Sequence, residues 1–175
     1  IKLDIASAEF GITLGQFDIY TELARSNSSQ PGFQPDGNGL YVNVTYSGDY
    51  IGVSADLKRY EDFQTIFNNP PALVKTHSFS LLNRQTHSLI AKDEQGFQFE
   101  GYISPTDRST FTVHASGSED LERNDRRQFR EYFVENRQEW GDNWISRVLV
   151  DYSKDRVVGD LNRWTVASEA DYFFN

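Results

Sequence analysis

Few residues in this 175-residue chain are of the types that carry out chemistry. Its three histidines, His77, His87 and His114, show no metal-ligand spacing. His77 and His87 fall in a long polar segment, where we expect water to surround them. His114 precedes Ser116 by two residues, so the two side chains share a face if this segment is a β-strand. Without a placed acid, this pair is an incomplete basis for nucleophilic catalysis.

Other catalytic and binding motifs are absent from the sequence. The chain has no cysteine, which excludes disulfides, thiolate nucleophiles, iron–sulfur clusters and cysteine zinc sites. It also has no dinucleotide fingerprint, phosphate-binding loop, metalloprotease motif or EF-hand loop. We therefore expect no catalytic residue, no metal site and no cofactor, and the sequence indicates a non-enzymatic protein. An enzyme that uses His114 with an acid from a loop stays open as an alternative.

The charge and hydropathy of the chain exclude further classes of protein. Seventeen Lys and Arg residues against 26 Asp and Glu residues give a net charge of −9, which argues against nucleic acid as a partner. The mean hydropathy is −0.61, and no run approaches 18 apolar residues, so a transmembrane helix is excluded. A transmembrane β-barrel is not excluded, because its strands are apolar only at every second position.

Strict alternation of apolar and polar side chains is the main signal in the sequence. In residues 40–46, for example, Leu40, Val42 and Val44 share one face, while Tyr41 and Asn43 share the other. Such alternation indicates two-faced β-strands, and it predicts an all-β protein. It recurs in nine segments: residues 6–14, 17–23, 40–46, 51–58, 97–103, 111–116, 129–140, 144–152 and 164–174.

Two stretches, residues 1–14 and 119–140, fit this pattern less well, and in a third the apolar face is blurred. Before Ala6 the alternation fails, so we expect the first strand to begin with a bulge or an irregular segment. In residues 144–152, Ile145 and Leu149 blur the apolar face. Residues 119–140 place Leu121 and Phe129 near helical spacing among many charges, so a helix stays open there. We favour a strand from about residue 129 to residue 140.

The connections between the predicted strands alternate between short and long. The short ones are residues 14–16, 47–49, 105–108 and 141–143, and the long ones are residues 26–38, 61–93 and 117–127. Only the last connection, near residues 153–156, is shorter than this alternation requires. Tight turns on the periplasmic side and long polar loops outside are typical of transmembrane barrels. Residues 1–175 are therefore expected to form one antiparallel up-and-down β-barrel segment of about nine strands.

Aromatic residues concentrate at the strand ends beside the short turns. Such rings are typical of the girdle that transmembrane barrels place at the level of the lipid headgroups. The alternative is that aromatic residues are simply common in strands. The proposed girdle consists of Phe17, Tyr46, Tyr50, Tyr102, Phe111, Trp140, Trp144, Tyr172, Phe173 and Phe174.

The second face of the predicted strands is polar, and in a barrel it would line the lumen. Charges on an enclosed face need water or ion pairs, because unpaired burial costs several kcal/mol for each charge. The same pattern also fits an antiparallel sheet with one face in solvent. The lumen candidates are Glu22, Asn43, Asp56, Lys58, Glu100, His114, Glu131, Arg147, Asp151 and Glu169, together with Glu135, Arg137 and Asp171.

Three segments carry a resemblance to a known class of protein. Residues 68–75 (NNPPALVK), 82–84 (LNR) and 94–98 (EQGFQ) resemble a segment of uncharacterised outer-membrane β-barrels of Bacteroidota-type, Gram-negative bacteria. The resemblance covers the middle third of the chain. It implies location in the cell outer membrane, the lipid bilayer as a partner, and a pore, structural or accessory role. It transfers no active-site residue.

Proteins of that class are longer than this chain, and bacterial barrels normally have an even number of strands. The nine predicted strands are therefore expected to be an arc of a larger barrel, with further strands on both sides. Knowledge of the flanking sequence would test this expectation directly.

The loop of residues 61–93 is too apolar for a merely solvated loop tip. We expect it to fold into the lumen or onto a partner protein. Its apolar residues are Leu73, Val74, Leu81, Leu82, Leu89 and Ile90, and Pro70 and Pro71 precede them.

The main alternative is a soluble β-sandwich or lipocalin-like barrel that binds a carbohydrate or an apolar ligand. Such a protein would bury the face that carries Leu40, Val42, Val44 and Tyr46 in its core. It would also stay soluble without detergent.

Overall fold

The computed structural model consists of β-strands. It describes residues 2–29, 36–63, 78–79, 93–121, 128–156, 159 and 161–174. Alternating side chains place each strand in the extended backbone that period two requires. The nine strands are β1 (Leu3–Leu14), β2 (Phe17–Ser28), β3 (Asp36–Ser47), β4 (Ile51–Glu61), β5 (Glu94–Thr106), β6 (Ser109–Asp120), β7 (Gln128–Trp140), β8 (Trp144–Asp155) and β9 (Leu161–Tyr172).

All nine strands form one antiparallel sheet in chain order, from β1 to β9. Each strand contacts only its neighbours in the sheet, and β1 and β9 are not paired with each other. The prediction of an all-β, up-and-down arrangement of nine strands is therefore confirmed. The described strands do not form the two stacked sheets of a β-sandwich. No helix in the described parts of the chain is long and apolar enough to cross a membrane.

The two stretches that fitted the alternation poorly contain regular strands in the residues that the structure describes. β1 pairs continuously with β2 from Leu3, opposite Ser28, to Leu14, opposite Phe17. The expected bulge before Ala6 is therefore wrong. The helix considered for residues 119–140 is wrong as well, because β6 runs to Asp120 and β7 begins at Gln128. The register shift that the structure does contain lies in β5, between Ile103 and Thr106.

The connections divide the sheet into two ends. At one end, which we call the short-turn end, two or three residues join β1 to β2, β3 to β4, β5 to β6 and β7 to β8. Backbone hydrogen bonds join two of these turns to the next strand along the sheet. The amide of Ser47, at the end of β3, donates to the backbone oxygen of Gln16 in the first turn (2.9 Å), and the amide of Phe173, just after β9, donates to that of Asn143 in the last turn (2.9 Å). The other end, the long-loop end, holds the remaining connections, so short and long connections alternate as expected.

Glycine is required in two of the tight turns. Gly15 and Gly141 have φ angles of 64° and 69°, in the left-handed region that side chains with a Cβ adopt at a cost. At both glycines, a Cβ would meet no heavy atom within 4 Å. Backbone conformation, and not lack of space, therefore selects glycine at these positions.

Replacement of Gly141 by alanine should lower the free energy of unfolding by about 1 to 2 kcal/mol, because an L residue is strained in this backbone conformation. The midpoint of denaturant unfolding, followed by tryptophan fluorescence, measures the change. Gly11→Ala is the matched control: Gly11 lies in β1 without a positive φ, and an added Cβ would come no closer than 4.0 Å to another residue. Equal losses in both variants would contradict this explanation of the turn.

Candidate functional site: the two faces of the sheet

The register assigns every strand residue to one of two faces. On one side, for example, Leu14 pairs with Phe17, Phe17 pairs with Tyr46, and Tyr46 pairs with Val53. This series of directly opposite residues continues across the sheet to β9. We call this side the apolar face and the opposite side the polar face. A slip of one residue between any two strands would exchange the faces beyond that point.

The central part of the apolar face carries no charged residue on any strand, and we call it the apolar band. Its large side chains are exposed: Phe10 at 61%, Leu57 at 56% and Val166 at 72% of their surface. It includes a few neutral polar residues, of which Ser146 accepts a hydrogen bond from the Trp140 indole (2.8 Å). Its end members, strand by strand, are Ala6 and Leu14, Phe17 and Leu23, Leu40 and Tyr46, Ile51 and Leu57, Phe97 and Ile103, Phe111 and Gly117, Tyr132 and Trp140, Trp144 and Tyr152, and Trp164 and Tyr172.

Charged residues of the apolar face lie only beyond the band, at the long-loop end. Arg25 pairs with Asp36 at 3.3 Å, and Arg59 pairs with Glu61. On each strand that carries such a residue, the charge lies one or two apolar-face residues beyond the end of the apolar band. The full set is Asp4, Arg25, Asp36, Arg59, Glu61, Glu119, Arg130 and Lys154.

Aromatic rings line both borders of the apolar band. At the short-turn end, Phe17 and Tyr46 lie 4.9 Å apart between ring centroids, as do Trp144 and Tyr172. At the long-loop end, the ring of Tyr152 is 4.9 Å from Trp164, and it is also stacked on Tyr132. The sequence predicted the first row but not the second.

One member of the predicted girdle belongs to the other face. Tyr102 pairs with Gly52 and Thr112 on the polar face, and its ring covers Gly52 so closely that a Cβ there would lie 2.2 Å from it. Tyr102 therefore does not belong to the row of rings on the apolar face, although the sequence placed it in the girdle. The alternation of side chains in the sequence already assigned Tyr102 and Phe111 to opposite faces.

All the lumen candidates of the sequence lie on the polar face. On β3 and β4, the Asp56 carboxylate accepts hydrogen bonds from the Tyr41 hydroxyl (2.6 Å) and the Asn43 amide (2.8 Å). On β8 and β9, Arg147 donates to Glu169 at 2.8 Å. Whether this face lines a lumen stays a prediction.

The polar face is the more enclosed of the two sides of the sheet. His114, Glu131 and Asp151 are buried on it, and the His114 ring stacks on Phe133 at 4.8 Å. The buried apolar side chains also lie on this side: Tyr60, Phe63, Phe129, Phe133 and Leu149.

His114 and Ser116 share the polar face, as the spacing required. Both are enclosed: His114 is 3% exposed and Ser116 has no exposed surface. The acids nearest in register, Glu100 opposite His114 and Glu131 opposite Ser116, come from strands and not from a loop. In this arrangement a substrate has no direct approach to the Ser116 hydroxyl.

A buried ion pair joins β4 to β5 on the polar face, beyond the apolar band. Lys58 Nζ lies 2.5 Å from Glu94 Oε1, and both side chains are less than one tenth exposed. Burial raises the pKa of the Glu94 carboxyl above its ordinary value even though the Lys58 ammonium lowers it. The sequence pointed to Lys58 but not to Glu94, because the apolar alternation of β5 becomes visible only at Phe97.

The two ends of the longest loop meet at the long-loop end. The backbone amide of Asp62 donates to Asp93 Oδ1 at 2.6 Å, and the backbone oxygen of Asp93 accepts from Leu121 (3.0 Å). Between them, the Ser78 hydroxyl donates to the Glu135 carboxylate on the polar face of β7. At Ser78, therefore, the loop reaches the polar side of the sheet, and whether it folds into a lumen or onto a partner stays a prediction.

The remaining expectations for this loop, including its apolar residues, His77, His87 and the two resembling segments 68–75 and 82–84, lie outside the described residues. In the parts of the chain that the structure describes, no group of three or more His, Asp or Glu side chains is arranged to hold a metal ion.

The Lys58–Glu94 pair can be tested by a double-mutant cycle. Lys58→Met or Glu94→Gln alone should lower the free energy of unfolding by about 3 to 5 kcal/mol, because each removes one member of a buried ion pair. The double variant should lose clearly less than the sum of the two single losses. Unfolding midpoints measure all three values, and additive losses would show that the two groups are not coupled.

Comparison with known proteins adds a family but no activity. A family model described as "Family of unknown function (DUF6029)" matches residues 2–174. No curated protein and no solved structure matches the chain.

Proposed function

We propose that this chain, which belongs to the DUF6029 family of unknown function, is a membrane-spanning part of a non-enzymatic outer-membrane β-barrel. The apolar face lies against lipid and the polar face lines the interior. The observation that carries the proposal is the inverted distribution of side chains: the uncharged apolar band is exposed, while charged residues are buried on the opposite side.

The size of the apolar band argues against its exposure to water. Nine strands about 4.8 Å apart are roughly 40 Å wide, and seven or more residues along each strand extend about 20 Å. The resulting area is on the order of 800 Å², whereas the largest apolar patch of a soluble monomer is about 300 to 600 Å². Hydrocarbon chains of lipids cover such a surface at no desolvation cost.

Strand length and the placement of aromatic residues support the same proposal. The strands are 11 to 13 residues long, and a tilted strand needs about 9 to 11 residues to cross a bilayer. The two rows of rings, with Tyr46 and Tyr172 in one and Tyr152 and Trp164 in the other, suit the two headgroup levels. The charged residues beyond the band then lie in water.

Closure of the barrel requires further strands. β1 and β9 run in the same direction, so direct pairing of these two edges would be parallel, whereas all other pairs are antiparallel. In lipid, the unpaired backbone groups of both edges would each cost several kcal/mol. We infer that an odd number of additional strands, from the same polypeptide or from another, completes the antiparallel barrel.

The alternative of a soluble lipocalin-like barrel requires the apolar face to turn inward around a ligand. The burial of Asp151, Glu131 and Lys58 on the opposite side argues against it, because that face would then lie in open water.

Membrane insertion is tested first. The full protein should float with phosphatidylcholine vesicles in a density gradient and remain with them after extraction at pH 11, because only integral membrane proteins resist that treatment. A protein that stays soluble without detergent and sediments apart from vesicles would contradict the proposal and favour the lipocalin-like alternative.

A charge placed on the apolar band discriminates between lipid and water. Val166→Arg should lower the free energy of unfolding in vesicles by about 2 to 4 kcal/mol, the cost of arginine near the bilayer midplane. In water, the same change at a position that is 72% exposed should be nearly neutral. Thr165→Arg, on the polar face of the same strand, is the control, and it should cost less than 1 kcal/mol in vesicles. Equal small effects of both variants would contradict the proposal.

A further inference from the structure

Two grooves lie side by side on the apolar face, where the apolar band ends toward the long-loop end. The first has a volume of about 510 Å³ and crosses β1 to β4, and the second has a volume of about 390 Å³ and crosses β3 to β7. Both volumes are within the range of about 300 to 1,000 Å³ that is typical of small-molecule sites. Leu40 and Arg59 line both grooves, so the two grooves meet at these residues.

Each groove begins among side chains of the apolar band. Ala8 and Leu23 line the first groove there, and Leu57 and Phe97 line the second. Ala8 lies opposite Leu23, which lies opposite Leu40, and a small alanine beside two leucines leaves a depression in the surface. If the apolar face lies against lipid, this part of each groove is at the depth of the acyl chains.

Each groove ends among arginines just beyond the band. Arg25 and Arg59 line the first groove, and Arg59 and Arg130 line the second. Each of the three is exposed, and each is the first apolar-face residue beyond the band on its own strand. The two arginines of the first groove are two strands and two residues apart, so roughly 12 Å separates their Cα atoms. Long side chains from both positions can reach one group between them.

The carboxylates that pair with two of these arginines lie farther from the band. Arg25 contacts Asp36 at 3.3 Å, and Arg59 contacts Glu61. Each carboxylate belongs to the apolar-face residue that follows the level of the arginine. The positive charge on β2 to β4 is therefore nearer to the band, and the negative charge is nearer to water. All four side chains are exposed, and exposed ion pairs contribute little to stability.

The arginines keep hydrogen-bond donors for a further anion. A guanidinium carries five N–H donors, and its planar fork matches two oxygens of a phosphate. Among the described residues, Arg25 directs one terminal nitrogen to a carboxylate, and Arg59 directs two nitrogens to one Glu61 oxygen. The Asn27 amide also donates to Asp36 at 3.0 Å, so Asp36 retains a donor when Arg25 binds another anion.

This arrangement is complementary to an amphiphile with two apolar chains joined at a phosphate. Each groove offers an apolar surface to one chain, and the junction of the grooves at Arg59 lies where the chains would meet the headgroup. Arg25 and Arg130 border that junction on either side. Basic pockets at a membrane surface attract anionic lipid headgroups.

We propose that the two grooves bind one anionic phospholipid, with an acyl chain in each groove and its phosphate between Arg59 and a neighbouring arginine. This inference rests on the proposed function, because it requires the apolar face to lie against lipid.

Native mass spectrometry of the full protein in detergent, titrated with dioleoyl phosphatidylglycerol, tests the site. We expect one tightly bound lipid per chain, and several-fold weaker binding of dioleoyl phosphatidylcholine, whose headgroup has no net charge. The double variant Arg25→Gln, Arg59→Gln should bind phosphatidylglycerol about 25-fold more weakly, because each basic residue near a membrane surface contributes a factor of about five.

The matched control removes two arginines from the polar face, Arg137→Gln and Arg147→Gln. Each of these also pairs with one carboxylate, Glu139 and Glu169 respectively. The affinity of the control for phosphatidylglycerol should equal that of the unchanged protein. An equal loss in both double variants would overturn the proposal, because net charge and not the grooves would then determine binding.

A groove-filling variant tests the acyl-chain part of the site. Ala8→Phe should weaken the binding of phosphatidylglycerol several-fold, because the ring occupies the depression beside Leu23. Ala170→Phe is the control: Ala170 is also an exposed alanine of the apolar face, and it lies outside both grooves. Unchanged binding by Ala8→Phe would contradict the placement of the chain.

Flotation with phosphatidylcholine vesicles separates failure of this inference from failure of the proposed function. Every variant should float, which shows that a loss of lipid binding does not result from misfolding. An unchanged protein that does not float contradicts the proposed function itself. A protein that floats, but binds both lipids equally in detergent, overturns the phospholipid site and leaves the membrane barrel intact.

Discussion

The backbone hydrogen-bond register of the nine strands is the constraint on which every other feature depends. It runs through eight antiparallel pairs, interrupted only by the shift between Ile103 and Thr106 in β5. Because side chains alternate with period two, this register alone keeps about half of all strand residues on each face of the sheet. The tight turns at Gly15 and Gly141 preserve that parity where the chain reverses.

With this register, the burial of apolar and charged side chains on the two faces is the reverse of that in a soluble sheet. The side that a soluble protein would pack into a core is exposed and free of charge along the apolar band. The side that would face water holds Lys58, Glu94 and Asp151 at less than one tenth exposure. Each buried charge needs a partner or water, and Lys58 and Glu94 supply such a partner to each other. Under the proposed function, lipid on one side and an aqueous interior on the other would satisfy both faces together.

Much of this architecture could be predicted from sequence, because it depends on local patterns. Alternation identified all nine strands, and turn residues identified the short connections. The errors arose where local patterns and tertiary position diverge. β1 before Ala6 breaks the alternation because Asp4 lies beyond the apolar band, and not because the strand is irregular. Leu149 blurred the face of β8 because it is a buried apolar residue on the polar side.

The sequence by itself determined which residues share a face, since parity along a strand is a property of the extended backbone. That property was sufficient to collect Glu22, Asp56, His114 and Asp151 on one side. Only the tertiary structure decided which side is enclosed, how far each strand extends beyond its apolar residues, and which side chains meet across strands. Glu94 contacts Lys58, and Tyr152 contacts Trp164, and in both cases the two residues lie on different strands. Such contacts depend on the relative shift of whole strands, which no pattern within one strand encodes.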